Sequence, residues 1–423
     1  MVAALATGPR PCSPDLPSSS TLTVCAALLI LVAALLGGVT PARAEVSDQD
    51  RLRRAVDYVL ASQLPSGFFR YDLDFLADRS AEGDNIVRQV ATGYVLAEYY
   101  LHARDRRVRL AVEATLKASG ALSLPVGKSW MQSALEHGGL LSLPIGRYKL
   151  RAGLGRINVL YLPKGDGKLI SQDGRYQTAY LGATAVGLLA ELQYHQATTD
   201  NRFGDLRSAW VKGLMSMWIP GRGFRIAPDS IDDSPFFDGE AWLALAYYHD
   251  LFRRDEKVAS LLRSLDTYLM ARYASEVSTG FYQWGTMAAA RRFKVTSNQK
   301  FLSFIRAQAE AFLKAPRRDQ WRGDNSCADI EGLATAARML RAHAPADGAF
   351  LERLESRLNE EMETIRQLQI PPDTSRMEFG EGIYLISPRL RDFSGAFLEG
   401  RYQPYTRIDD TMHCVSALIK LAQ

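Results

Sequence analysis

From residue 48 onward, apolar positions recur at three- and four-residue spacing and strand-like alternation is scarce, a pattern that predicts helices almost throughout. The helices are of two kinds. Residues 50–63, 106–119, 203–217, 256–273, 299–314 and 348–368 are amphipathic, each with a face rich in Arg, Lys, Asp or Glu, as suits the outside of a molecule. Residues 85–101, 175–194, 236–252, 281–294, 327–342 and 409–422 are rich in Ala, Gly, Leu and Tyr, with few charges beyond the first turn, as suits burial on nearly all sides. The kinds alternate outer, inner, six times over, a degenerate internal repeat. Two stretches interrupt it. Residues 120–170 are rich in Gly, Pro and Leu, and residues 370–404 carry Pro371, Pro372 and several aromatics. Connections this long point to small sheets or functional loops, and both lead into the start of an inner helix.

The inner helices open on related polar segments: Asp84–Gln89, Gln172–Gln177, Phe236–Glu240, Gly280–Trp284, Asp324–Glu331 and Arg407–His413. Helices running parallel around a ring would gather these segments at one mouth. Capping explains the Asp and Asn residues in part. It does not explain Arg88, Gln89, Tyr282, Trp284, Arg407 or His413, because an arginine at a helix N-terminus opposes the dipole and a buried Trp or Tyr needs a polar partner. Carboxylates, arginines and flat aromatic rings together match what a sugar presents, namely hydroxyls and apolar ring faces.

With Gly67-Phe68-Phe69-Arg70-Tyr71, Asp84–Gln89, Phe236–Leu245, Asp329–Ala334 and Arg407–His413 added to the alternation, residues 48–423 resemble the (α/α)6 barrel superfamily of six-hairpin glycosidases. That superfamily includes glycoside hydrolases, polysaccharide lyases and sugar epimerases. The last segment is also similar to the C-terminal end of glucuronyl C5-epimerase-like chains. The resemblance implies an all-α toroid of six helical hairpins and a polysaccharide or oligosaccharide substrate; it does not select one reaction.

Hydrolysis needs a carboxylic acid and a carboxylate, and the candidates are Asp84, Asp238, Glu240, Glu331, Asp409 and Asp410. Asp238 and Glu240 are two residues apart and cannot share a helix face, so a catalytic pair would come from different hairpins. The alternative role for each acid is a helix cap or an arginine's partner. Arg88 and Arg407, on neighbouring helices if the ring closes, could grip a uronate or pin the ring shut through Asp84 and Asp409. Tyr71, Gln89, Tyr176, Tyr282 and Trp284 complete the candidate binding residues. His413, four residues after Asp409, could pair with it as the base of a lyase or uronate epimerase, or be a core histidine bonded to a carboxylate. A third reading is a non-catalytic ring that binds glycan or serves envelope polysaccharide assembly and export. Cys327, His413 and Cys414 make a poor zinc set, because adjacent helical residues point about 100° apart; a disulfide or two buried thiols fits better. No phosphate loop, dinucleotide fingerprint or metalloprotease motif is present, so no cofactor or metal is implied.

Residues 21–39 are nearly all apolar and are followed by Ala42-Arg43-Ala44, which reads as a secretory leader cleaved after Ala44. The expectation is a periplasmic or secreted single domain of residues 45–423, with an uncleaved N-terminal anchor as the alternative. The net charge of +4 is dispersed and too weak for a nucleic-acid partner.

Overall fold

The inner helices pack side by side and close on themselves. The computed structural model describes residues 46–80, 83–126, 167–230, 232–275, 278–314, 325–380 and 382–423. The leader, most of the 120–170 insertion and Asp324 lie outside the described residues. From Asp48 onward the helices are α1 (Asp48–Ser62), α2 (Ile86–Ala103), α3 (Arg106–Ala121), α4 (Leu181–Thr198), α5 (Gly204–Ser216), α6 (Pro235–Leu251), α7 (Glu256–Ser275), α8 (Thr279–Thr296), α9 (Gln299–Lys314), α10 (Cys327–His343), α11 (Gly348–Leu368) and α12 (Ile408–Leu421). Helix α2 touches α4, α4 touches α6, and the contacts continue through α8, α10 and α12 back to α2, so the inner ring is closed. The even-numbered helices are the inner set expected from their small and apolar residues, and the chain has the all-α toroid that the alternation predicts.

The pairing of the hairpins adds a detail. Each outer helix packs on the inner helix before it: α3 on α2, α5 on α4, α7 on α6, α9 on α8 and α11 on α10. Helix α1 is the first described helix and packs on α12, the last, so these two form the sixth hairpin. Arg366 of α11 adds to this closure by binding Asp48 at 2.8 Å. The inner-to-outer turns are short, and some are fixed by a residue in the left-handed region, Arg104, Thr199 and Ser297 with φ of 56°, 57° and 54°.

The connections before α2, α4, α6 and α12 are long, lie at the N-terminal ends of these inner helices, and carry two-stranded antiparallel sheets, whereas α7 passes to α8 within a few residues. Strand β1 (Asp72–Asp74) pairs with β8 (Tyr405–Arg407) in the register Asp72↔Arg407, which ties the loop before α2 to the segment before α12. Strands β2 (Ser123–Pro125) and β3 (Lys168–Ile170) pair at the base of the first insertion. Strands β4 (Trp218–Ile219) and β5 (Gly223–Phe224) precede α6. Strands β6 (Arg376–Glu378) and β7 (Tyr384–Ile386) form a hairpin in the second insertion, followed by a 3-10 helix at Pro388–Phe393. Among the described residues no helix is long and apolar enough to cross a membrane.

One sequence boundary moves. The helix expected from residue 175 begins at Leu181, because Tyr176–Thr178 form a 3-10 turn. Asp173 holds that turn by accepting from the Arg175 backbone N–H at 3.1 Å and from its side chain at 2.7 Å.

Candidate active site at the ring mouth

Helix α12 carries the centre of the mouth. Its N-terminus is capped by Asp410, whose Oδ2 accepts from the Arg407 backbone N–H at 2.8 Å. Asp409 turns toward the ring seam and meets two guanidiniums, Arg407 Nε at 3.1 Å and Arg88 Nε at 3.1 Å. Arg88 also donates to the Tyr71 hydroxyl. Arg407 lies 3.6 Å from Glu399 and 3.6 Å from Asp410. Burial, with Asp409 and Glu399 alongside, pushes the Asp410 carboxyl well above the usual carboxylate range. Arg88 and Arg407 are indeed neighbours, and they pin the ring through Asp409.

One turn below Asp409, His413 Nδ1 lies 2.8 Å from Glu331 Oε1 of α10. The partner expected for it, Asp409, is taken by the arginines. The Gln283 amide of α8 sits 3.3 Å from the same ring nitrogen. Burial alone would raise the Glu331 carboxyl, but Lys420, His413 and Ser416 outweigh it and hold it below its ordinary range. An ionised carboxylate only accepts, so the Nδ1 proton points to Glu331 and the lone pair falls on Nε2. Nε2 makes no hydrogen bond among the described residues, and the side chain is 22% exposed. Trp284 lies under this ring, with centroids 6.5 Å apart, and Tyr94 lies beyond it at 6.2 Å from Trp284. Gly239 lets α6 approach here, since a Cβ on it would stand 2.6 Å from Trp284 Cβ.

Below His413 a polar column runs along the axis. Ser416 Oγ is 2.8 Å from Glu331 Oε2 and 2.7 Å from Glu98 Oε2, and Lys420 Nζ is 2.9 Å from Glu98 and 3.3 Å from Glu331. These groups are buried, and they satisfy one another, as a stable buried network must.

Several candidates lie elsewhere. Asp238 faces outward, accepting from the Phe224 backbone N–H and from Tyr273 of α7, both at 2.9 Å. It joins α6 to its strand hairpin and outer helix, and burial pushes its carboxyl up to about 6. Glu240 is sealed between α4 and α6 beside Phe237, where a Cβ on Gly182 would stand 2.5 Å from its Oε2. Among the described residues that oxygen has no hydrogen-bond partner, and burial pushes the carboxyl up to about 8. Tyr282 is fully buried and stacks on Phe312 of α9 at 4.5 Å. Gln89 is buried and bonds the Phe69 backbone and, at 2.8 Å, Asp84, whose role is thus to fix the loop before α2. Tyr176 sits half-buried in the 3-10 turn. The mouth therefore gathers Tyr71, Arg88, Asp409, Arg407 and His413, with Trp284 and Glu331 beneath. Sequence reasoning missed Glu399, Gln283, Tyr94, and the exposed ring of Phe236 on the first turn of α6.

No family model matches the sequence, and neither does any curated protein. Solved structures do match. An α-1,6-mannanase from Salegentibacter sp. HEL1_6 superposes with a TM-score of 0.58 at 10% identity, over 89% of this chain and 99% of its own. This is the fold of the six-hairpin glycosidases. A sugar epimerase from a ruminal bacterium matches the six-hairpin ring with a TM-score of 0.53 at 12% identity, over 88% and 97% of the two chains. A D-mannose isomerase matches at 0.56 and 11%, over 90% and 99%. An inactive variant of the same mannanase, with two adjacent aspartates replaced, has been seen with α-1,6-mannotetrose.

With Cys327 and Cys414 joined in a disulfide across α10 and α12, Cα atoms 4.8 Å apart, the two sulfurs tie the last seam of the six-hairpin ring. Among the described residues no group of three or more His, Cys, Asp or Glu side chains could hold a metal.

Proposed function

We propose that this protein is a carbohydrate-active enzyme that binds a neutral sugar unit at the mouth and moves a proton on it, as an epimerase or isomerase does. The observation that carries the reading is the His413–Glu331 pair. A buried carboxylate fixes the tautomer and leaves a ring nitrogen with an open lone pair at the base of a mouth, which is how a general base is built. On an open-chain sugar, Nε2 would take the proton from the carbon beside the carbonyl, giving an enediolate, and return it on the same face to the former carbonyl carbon while the hydroxyl proton passes between the two oxygens, which is an isomerisation; an epimerisation needs a second donor on the opposite face. The Arg88–Tyr71 wall supplies donors near the developing negative charge. Phe236, exposed on the first turn of α6, offers an apolar face for the sugar.

The neutral substrate follows from the charges. Arg88 and Arg407 face Asp409 and Glu399, with Asp410 also 3.6 Å from Arg407, so the guanidiniums at the mouth are matched by carboxylates. A uronate would have to displace Asp409. The epimerase and the isomerase on the same ring support the reading by likeness of fold only.

A second reading, hydrolysis of a mannan-like glycan, is favoured by the adjacent Asp409 and Asp410 at the mouth, given the paired aspartates replaced in the mannanase variant. Against it, Asp238, Glu240 and Asp410 are buried, and Asp409 is held by two arginines.

Incubating the protein with mannose, glucose, fructose and α-1,6-mannan in heavy water separates the two. Deuterium entering a sugar C–H bond, lost roughly 100-fold or more in His413→Asn and less in Glu331→Gln, supports proton transfer. Mannan shortened by the wild type and by His413→Asn, but not by Asp409→Asn, with no deuterium in any sugar, would replace it with hydrolysis.

The chain is further proposed to act outside the cytoplasm. A disulfide persists in an oxidising compartment, and this fits the leader read at residues 1–44. Detection of a mature N-terminus at Glu45 in an extracytoplasmic fraction would test it.

A further inference from the structure

The opposite end of the ring holds a cavity of about 600 Å³, at the C-terminal ends of the inner helices. Tyr94 forms part of its wall, Trp284 and His413 follow Tyr94 ring against ring toward the mouth, and neither of these two lines the cavity. Its charged lining is unbalanced. Lys420 is matched by Glu98 and Glu331. Arg291 and Lys294 share Asp250, at 2.8 and 3.0 Å. Arg338 has no carboxylate in ion-pair range among the described residues; its guanidinium meets only the neutral amide oxygen of Gln423.

Helix dipoles account for cations near helix C-termini at the surface. They do not account for a half-buried guanidinium that lines a cavity and meets no carboxylate among the described residues. Burial lowers the Arg338 pKa, with Glu98 acting in the opposite direction. Around it the wall is polar as well as charged. Tyr247 donates to Gln196 at 2.5 Å, and Gln193 is buried alongside. A volume of this order holds one sugar-sized molecule and is too small for a polymer.

We infer that this cavity is a second ligand site, for a small anionic polyol such as a hexuronate or a sugar phosphate, whose negative group pairs with Arg338. The polar wall takes the hydroxyls, and Arg291 and Lys294 at the rim draw the anion in. The site is independent of the reaction proposed for the mouth.

Calorimetric titration of the purified protein with glucuronate, glucose 6-phosphate, glucose and inorganic phosphate tests it. The expected result is saturable binding of glucuronate or glucose 6-phosphate below about 1 mM, with glucose at least about tenfold weaker. Arg338→Gln should weaken the anion by about tenfold or more, the loss of one charge-assisted pair. Lys294→Glu changes an exposed side chain and leaves folding intact, so it should also weaken binding even if Arg338→Gln misfolds. His413→Asn should bind the anion as the wild type does, which places the ligand away from the mouth. Glucose binding as tightly as the anions, binding unaffected by Lys294→Glu, loss of binding in His413→Asn, or no saturation by about 10 mM would each overturn the inference. Binding of inorganic phosphate as tight as that of glucose 6-phosphate would overturn the polyol and leave a bare anion site.

Discussion

Replacing Glu240 with Gln should change how stability depends on pH, and the size of the change can be worked out. The Glu240 carboxyl is fully buried and its pKa stands at about 8 against an ordinary 4.5. The native chain therefore keeps this proton after the unfolded chain has released it. The stabilising contribution of the protonated form is full below the unfolded value. It is lost as pH rises toward about 8 and is level beyond that. The slope is about 1.4 kcal/mol per pH unit for one proton. Between about pH 5 and pH 7.5 the wild type should thus lose about 3 kcal/mol that Glu240→Gln does not. Asp238 and Glu191, pushed up to about 6 and about 8, act in the same direction but are present in both proteins and cancel in the difference. The amide NH2 placed where Oε2 has no partner adds an offset that is constant with pH. Urea unfolding followed by circular dichroism across that window measures the difference directly. Parallel curves for the two proteins would mean that Glu240 ionises in the native state, and would refute the claim that α4 and α6 seal it from water.

Two other changes test the closure of the ring. Converting Cys327 and Cys414 to Ser removes a crosslink spanning 87 residues and should cost about 4 kcal/mol, read from denaturant midpoints; equal midpoints with and without reductant would show that the seam holds without it. Lys420→Met leaves Glu98 and Glu331 buried without their cation and should cost about 3–5 kcal/mol near neutral pH, with part recovered on acidification as Glu331, no longer held down by Lys420, protonates. A melting temperature within a degree or so of the wild type would show instead that water reaches the column.

Periodicity and composition carried the architecture because each helix has one dominant environment. The small, apolar runs at 236–252 and 327–342 can only be inner helices, and they coincide with α6 and α10 to within about two residues. The mouth was legible as a place and less so as a set of side chains. A position in the first helical turn says how near the mouth a residue lies and nothing about its azimuth. Asp238 and Glu240 thus looked alike in the sequence, yet one faces an outer helix and the other a neighbouring inner helix. The His413–Glu331 pair is a contact across 82 residues, which no local pattern encodes. Glu98 and Lys420 did leave a signal: beyond the first turn, each is the lone Asp, Glu, Lys or Arg of its inner helix, where an unpaired charge would be prohibitive. The start of α4 was misplaced because the Asp173–Arg175 turn imitates a helix cap one turn too early.

The sixth hairpin, built from two segments far apart in the sequence, makes the site a product of closure. Helix α12 carries Asp409, His413, Ser416 and Lys420, and it docks on α1. Each intervening hairpin packs on its immediate neighbours in the sequence. The mouth and the axial column instead need residues 48–62 and 408–421 to meet, so a cut that frees either helix opens the ring rather than shortening it.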